Sequence, residues 1–158
     1  MMSRVKKGVV AGLAATVVVS VLEAINLLGG PWFTSFPEIV AHMLGMPGNL
    51  AVGWVAHILM GTLVLGSLFG ALCPRLPTDT WSTKGIAFAV GAFVVLLVGI
   101  FLFGDPSVFS GSDGFGTIAW LLITNAVFGL VMGNVYGRLV DREKRAAKAM
   151  ATGAMPAH

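Results

Sequence analysis

The stretch TIAWLLITNAVFGLVMGNVYGRLV, residues 117–140, contains one charged side chain, Arg138, and places glycine at every fourth position from Gly129 to Gly137. A helix needs about 20 predominantly apolar residues to cross the hydrocarbon core of a bilayer. Three further stretches meet that requirement: 8–28, 50–72 and 85–104. None of them alternates apolar and polar residues with the period of two that a membrane β-barrel requires. The sequence therefore predicts an all-α membrane protein, a bundle of four transmembrane helices.

The composition agrees with a membrane protein. Of the 158 residues, 56% are hydrophobic and only 11% are charged, whereas soluble domains carry about 25% charged residues. High hydrophobicity also excludes a disordered chain. The single cysteine, Cys73, excludes a disulfide framework and a multi-cysteine zinc or iron–sulfur site built from this chain alone.

The distribution of charge predicts the orientation. The ten Lys and Arg residues lie in three places: before the first predicted helix, between the second and third, and from the last turn of the fourth helix onward. The other two loops, 29–49 and 105–116, hold only the acids Glu38, Asp105 and Asp113. The positive-inside rule therefore places both termini in the cytoplasm, with the protein in the inner membrane. An alternative is that the first segment is a cleaved signal peptide, but Glu23 interrupts its apolar run.

Two parts of the chain are distinguished by composition. Residues 1–140 form the predicted transmembrane domain, and residues 141–158 form a basic cytoplasmic tail that continues the fourth helix. Lys and Arg at this position interact with anionic lipid headgroups. Interaction of these basic residues with the bilayer therefore accounts for the net charge of +3, and no nucleic-acid partner is predicted.

The first outer loop contains the signature of a short interfacial helix over residues 36–44. Ser35 is positioned as its N-cap, and Glu38 completes a capping box. One face of this helix is apolar, which predicts that the helix lies flat on the outer face of the membrane that the protein spans. The residues of that face are Phe36, Ile39, Val40 and Met43. The alternative is that this loop covers a partner subunit.

Glycines recur at four-residue steps in the predicted helices. Lipid supplies no hydrophobic force between helices, so small residues that allow close backbone approach commonly mark their interfaces. This glycine zipper predicts packing of the bundle, with an alternative in which Gly66 and Gly70 dock a different protein. The predicted packing residues are Gly8, Gly12, Gly53, Gly61, Gly66, Gly70, Gly129, Gly133 and Gly137.

The two halves of the chain echo each other. Lys7-Gly8 opens the first helix, and Lys84-Gly85 opens the third. The pattern Trp54-x-x-His57-x-x-x-Gly61 in the second helix is matched in the fourth by Leu122-x-x-Asn125-x-x-x-Gly129. We interpret these features as two helix hairpins in parallel tandem.

These same motifs resemble those of a group of small bacterial four-helix membrane proteins of unknown function. The shared features are the Lys-Gly start, the Trp-x-x-His of the second helix, and a fourth-helix glycine ladder that ends in Tyr136-Gly137. In that group the fourth helix often opens with a second histidine, and here Asn125 stands in its place. The resemblance implies a fold and a membrane location but no activity.

Polar residues within the predicted helices define a candidate site. At 1.5 Å per residue, Glu23, His57 and Asn125 lie at similar depths, about 8 to 12 Å below the outer helix ends. Buried ionisable groups in membrane helices usually face the interior of a bundle. We therefore predict one buried cluster in which Glu23 pairs with His57, Asn125 completes the network, and Asn26 lies nearby.

A metal site is a weaker hypothesis. His57 offers one imidazole, and His42 on the short helix, with Glu38 one turn before it, could add a second imidazole and a carboxylate. No cofactor is predicted, and haem or a transition metal is retained as an alternative. His158 is expected to be solvated in the tail.

Three functions remain open from the sequence. No nucleophile–base constellation or phosphate-binding motif is present, so we predict that the protein is not an enzyme. The favoured role is an accessory or structural component that packs against a larger membrane complex, such as a respiratory one, or against a second copy. The alternatives are a carrier or channel for protons or small solutes that uses Glu23 and His57, and a haem- or metal-binding protein.

Overall fold

A computed structural model describes residues 1–30, 32–103, 106–110 and 114–153. These residues form helices and connecting loops without a strand. The third predicted helix's last residue, Gly104, the loop acids Asp105 and Asp113, and the tail from residue 154 to His158 lie outside them. The α-helices are α1 (Arg4–Leu28), α2 (Phe36–Met43), α3 (Leu50–Leu59), α4 (Gly66–Leu72), α5 (Trp81–Phe103) and α6 (Gly114–Ala151).

Four helical segments within the described residues are long and apolar enough to cross a membrane. They are α1, the continuous segment Leu50–Arg75 (the second span), α5 and α6. The predicted all-α fold with four candidate membrane spans is thereby confirmed. At 1.5 Å per residue α6 is about 57 Å long, which exceeds the roughly 30 Å hydrocarbon core.

The second span is not a uniform α-helix. A π-helical segment, Met60–Leu65, joins α3 to α4, and a 3₁₀ turn, Cys73–Arg75, ends the span. A π-helix closes its hydrogen bonds between residues i and i+5, so it accommodates an extra residue per turn. Gly61 and Gly66 are five residues apart, and this segment allows both of them to meet α1.

A glycine seam joins α1 to the second span, and we call this pair the first hairpin. A methyl group on Gly8 would overlap the backbone of Gly66 and Gly70, and one on Gly12 would overlap the backbone of Gly61 and Gly66. The idea that Gly66 and Gly70 dock a different protein is therefore wrong, because both are buried under α1 of the same chain.

A second seam joins α5 to α6, and we call this pair the second hairpin. A methyl group on Gly85 would overlap the backbone of Gly129 and Gly133, while Trp81 lies against Gly137. Gly85 was not among the predicted packing residues. The two hairpins meet because α6 packs against α1 as well as against α5. The second span and α5, by contrast, share few contacts.

The short helix α2 covers the end of the bundle where α1 ends and α6 begins. Ser35 caps it, since its hydroxyl accepts a hydrogen bond from the Glu38 N–H. Gly53 of α3 lies directly against the backbone of Pro37, and Ile39 is buried in an apolar cluster formed with Phe93, Ile100 and Leu121. The apolar face of α2 therefore packs on its own chain, which corrects the prediction that this face lies on the membrane surface.

Candidate functional site

Glu23 is fully buried near the C-terminal end of α1, and two donors from other elements hold its carboxylate. The indole N–H of Trp120 donates to Oε1 at 3.1 Å, and the Phe36 N–H donates to Oε2 at 3.4 Å. Phe36 is the first residue of α2, where backbone N–H groups lack partners within the helix. Glu23 thus fastens the start of α2 and the N-terminal part of α6 to α1.

Asn26, one turn further along α1, is also fully buried and fastens the same loop. Its Nδ2 donates to the Phe33 carbonyl at 2.9 Å, and its Oδ1 accepts from the Phe33 N–H at 3.3 Å. Thr117 adds a weaker link, since its hydroxyl accepts from the Thr34 N–H at 3.4 Å. Glu23 and Asn26 therefore anchor the outer loop by hydrogen bonds.

His57 is buried at the junction of the second span with α1 and α2. Its Nε2 lies 3.2 Å from the Ser20 hydroxyl of α1. The ring contacts Phe36 and Trp54 edge-on, at centroid distances of 5.3 and 5.7 Å. Within the described residues the other ring nitrogen, Nδ1, makes no hydrogen bond. One polar atom of this buried side chain is therefore unused.

Asn125 is half-buried on α6 and bonds its own helix, with Nδ2 donating to the Leu121 carbonyl at 2.8 Å. In the described part of the chain, Glu23 forms neither an ion pair nor a hydrogen bond with His57, and Asn125 bonds neither of them. The predicted single network is therefore wrong. Each of the three side chains has a different partner.

The three candidate metal ligands do not lie close enough together to bind one metal ion. Glu38 is exposed on α2 and His42 is half-buried there, whereas His57 belongs to the buried junction with Ser20. Among the residues that the structure describes, no three His, Cys, Asp or Glu side chains come together in a metal-binding group. His57, His42 and Glu38 therefore do not form the ligand set considered from the sequence.

A groove of about 780 Å³ occupies the space between the two hairpins where the second span and α5 share few contacts. Apolar residues dominate it, among them Val64 and Leu68 of the second span and Val95 of α5. Its polar residues are His57, Thr124 and Asn125. The groove runs from Phe36 and Met43 of α2 to Leu72 and Leu76 at the far end of the second span.

His57 and Asn125 occupy matching positions in the sequence echo, and both line this groove. Thr124 differs from them, because its hydroxyl donates to the carbonyls of Trp120 and Leu121 on the preceding turn. The groove thus has an apolar lining and two polar side chains with unused hydrogen-bonding atoms, one from each hairpin.

Several features of the site were missed from the sequence. The indole of Trp120 binds Glu23, and the Ser20 hydroxyl contacts His57. The five-residue spacing of Gly61 and Gly66 in the sequence is the available signal for the π-helical segment, because a regular α-helix would place these two glycines on different faces.

Comparison with known proteins gives one match. The profile of DUF6789, a family of unknown function, covers residues 2–147, so the chain belongs to that family. No curated protein and no solved structure matches the chain. The match agrees with the uncharacterised family suggested by the Lys-Gly and Trp-x-x-His motifs.

Proposed function

We propose that this protein is a non-enzymatic membrane protein that holds an uncharged lipophilic molecule in the groove between its two hairpins. The observation that carries the proposal is an apolar groove in which His57 and Asn125 leave hydrogen-bonding atoms unused. Small-molecule sites are typically concave and apolar, with a few polar groups that fix the orientation of the ligand.

The unused atoms favour an occupant that carries oxygen. His57 has a free Nδ1, and Asn125 has a free Oδ1 and a second amide hydrogen. A polar group in apolar surroundings is destabilised by about 1 to 3 kcal/mol when it lacks a partner. A hydroxyl or carbonyl group on the occupant would bond these atoms.

The charge of the lining favours an uncharged head. Neither Lys, Arg, Asp nor Glu lines the groove in the described residues. Phosphate and carboxylate ligands are usually held by cationic side chains, which the described part of this lining lacks. The apolar lining continues from His57 to Leu76, about 28 Å along a helix, which suits a single long chain.

The size of the groove favours such a molecule over a partner helix. Its volume of about 780 Å³ lies within the range of roughly 300 to 1,000 Å³ typical of small-molecule pockets. A transmembrane helix with a diameter of about 10 Å and a length of about 30 Å occupies about 2,000 Å³ or more.

The test compares head groups on one chain. Purified protein is titrated with hexadecanol, hexadecan-2-one, hexadecyl phosphate and hexadecane, and bound ligand is measured by native mass spectrometry. We expect the alcohol and the ketone to bind tightest. Asn125→Leu should weaken alcohol binding about fivefold, the loss expected for one neutral hydrogen bond.

Asn134→Leu is the matched control. Asn134 also donates to its own helix, to the Leu130 carbonyl at 2.8 Å, and it accepts from the Ser82 hydroxyl at 3.0 Å, but it is exposed and outside the groove. This variant should bind the alcohol like the wild type. Equal binding of all four ligands, or equal losses in the two variants, would contradict the proposed head group. Absence of binding by every ligand would contradict the groove function itself.

The location of the protein remains part of the proposal. The asymmetry of Lys and Arg supports an inner-membrane protein with both termini in the cytoplasm. Reporter fusions at Met46 and Thr78 test this orientation, with an outer signal expected at Met46 and an inner one at Thr78. The reverse pattern would contradict it.

Docking on a larger membrane complex, or on a second copy, remains the second proposal. It is supported by the exposed apolar side of α5, where Val94, Val98 and Phe101 are at least half exposed. Mild-detergent purification followed by mass spectrometry should recover a stoichiometric partner chain. Purification of the monomer alone from native membranes would contradict docking.

The carrier and haem alternatives have less support. A relay that uses Glu23 and His57 lacks a direct step, because these side chains have separate partners. A haem site needs axial ligands, and in the described residues the ring of His57 contacts Ser20, Phe36 and Trp54 rather than another histidine. An absorption spectrum of the purified protein tests the latter: we expect no Soret band, and a band lost in His57→Ala would contradict the proposal.

A further inference from the structure

A second cavity, of about 240 Å³, lies at the opposite end of the bundle from α2, where the two hairpins meet. It is lined by the Lys residues of both Lys-Gly motifs, Lys7 and Lys84, together with Arg4. Trp81 and Tyr136 complete its wall on the side of the second hairpin. No part of the proposed groove function uses this cavity.

Its lining is rich in hydrogen-bond donors. Arg4 makes neither an ion pair nor a side-chain hydrogen bond within the described residues. Tyr136 is 3% exposed, and its hydroxyl has no hydrogen-bond partner there. Lys84 donates to the carbonyls of Cys73 and Leu76, both at 3.2 Å, which leaves one of its three N–H groups.

The cavity also carries an excess of positive charge. Lys7 is paired with Glu143 at 2.6 Å, and Glu143 also accepts a hydrogen bond from the Met2 N–H at 2.7 Å. That pair leaves Arg4 and Lys84 without a carboxylate partner in the described chain. Two uncompensated cations and the unpaired hydroxyl of a buried tyrosine are suited to an anion with several acceptor oxygens.

We propose that this cavity binds a phosphate group through Arg4, Lys84 and the Tyr136 hydroxyl. Basic pockets between membrane helices on the cytoplasmic side commonly bind phospholipid headgroups. Because the same atoms would bind a free phosphate ion, the experiment separates the two sources. The site is independent of the groove and of its occupant.

The experiment uses the full chain in detergent, with native mass spectrometry as the readout. Phosphatidylglycerol is compared with the diacylglycerol of the same acyl chains, which lacks the phosphate, and inorganic phosphate is added as a competitor. We expect only the phospholipid to be retained. Arg4→Gln should weaken retention about tenfold, as expected for one charge-assisted hydrogen bond.

Lys6→Gln is the matched control, because Lys6 is an exposed cation near the same helix end but does not line the cavity. It should leave phospholipid retention within about twofold of wild type. Tyr136→Phe changes only the hydroxyl, so it tests the site in a fold with the same apolar packing. It should weaken retention about threefold.

Each outcome bears on the site. Displacement of the lipid by millimolar inorganic phosphate would support the site and identify the free ion as a ligand. Lack of displacement, with the variant losses intact, would support a lipid headgroup. Equal losses in Arg4→Gln and Lys6→Gln would overturn the proposal in favour of diffuse surface attraction, as would equal retention of diacylglycerol and phosphatidylglycerol.

Discussion

The two hairpins use the same packing device but differ in their polar residues. Gly8 and Gly12 meet the second span in the first hairpin, and Gly85 meets α6 in the second. The first hairpin carries a polar contact between its helices, Ser20 with His57, inside the apolar span. In the second hairpin the hydrogen bond between the helices, from the Ser82 hydroxyl to Asn134 Oδ1, is exposed, and Asn125 bonds only its own backbone.

The hairpins also differ in helix geometry. The first accommodates a five-residue glycine spacing with the π-helical segment Met60–Leu65, whereas α6 keeps a regular four-residue ladder. π-helical turns in α-helices are frequently found at functional sites. Because Met60, Gly61, Val64 and Leu65 of this segment line the groove, the irregular hairpin is the one we connect with function.

Deletion of one residue between the glycines of each hairpin should give the largest difference between the two hairpins. Deletion of the half-exposed Leu63 should convert the π-helical segment to α-helix, with Gly61 and Gly66 then four positions apart and still facing α1. Deletion of Leu130 should rotate the rest of α6 by about 100° and remove Gly133 from α5. We expect folded protein, measured by size-exclusion chromatography in detergent, for the first variant only.

Loss of folded protein in both deletions would show that the π-helical segment is required for the fold. That outcome would contradict the prediction that the first seam, like the second, can pack as a regular α-helix.

Enlarging a seam glycine should have the next largest effect. A side chain at Gly85 would overlap the backbone of Gly129, whereas Gly91 on the same helix has open space around it. Gly85→Leu should therefore destabilise the bundle by about 3 kcal/mol through overpacking. Gly91→Leu should leave the melting temperature in detergent nearly unchanged. Similar melting temperatures for the two variants would contradict the α5–α6 seam.

Removing the anchor of the outer loop should have a moderate effect. Glu23→Ala leaves the Phe36 and Trp120 N–H groups without their partner, which should destabilise the fold by about 2 kcal/mol. Ser20→Ala removes one contact with His57 and should lower the melting temperature less. Glu38→Ala, a change of an exposed carboxylate, is the control. A Glu23→Ala protein as stable as this control would contradict the anchor.

The ion pair between the hairpins should matter least. Glu143→Gln removes the charge that faces Lys7 near the start of α1. Ion pairs with a solvent-exposed partner contribute little and are screened by salt. We expect a small decrease in melting temperature at low salt that disappears at high salt. A large decrease in melting temperature that does not depend on salt would contradict this prediction, because it would show that the fold requires a charged partner for the buried Lys7.

The sequence predicts the fold well because lipid imposes a simple rule. Each span must satisfy its own backbone, so apolar length alone locates the helices. Glycine spacing likewise identifies most of the packing positions, although Gly85 was missed. The partners of Glu23 and His57 could not be predicted, because they depend on how the outer loop folds back onto α1. Equal depth in the membrane does not determine the direction of a side chain.

The groove could not be predicted either, because it forms where two helices do not pack against each other. Each span is identified from its own residues, and the arrangement of the spans in space is not determined by any single span. Only the packing of α6 on both α1 and α5 leaves the second span apart from α5. That separation brings His57 and Asn125 to one groove without bringing them into contact.

Photo-crosslinking with a long-chain alcohol that carries a diazirine tests the central claim most directly. Labelled residues are mapped by mass spectrometry in the wild type and in Gly91→Phe, which fills the groove, with Val98→Phe on the exposed side of α5 as the control. We predict labels on groove residues such as Leu68 and Val95, lost only in Gly91→Phe. Labels spread equally over Val17 and Val21, on the exposed side of α1, and unchanged in Gly91→Phe, would contradict the claim.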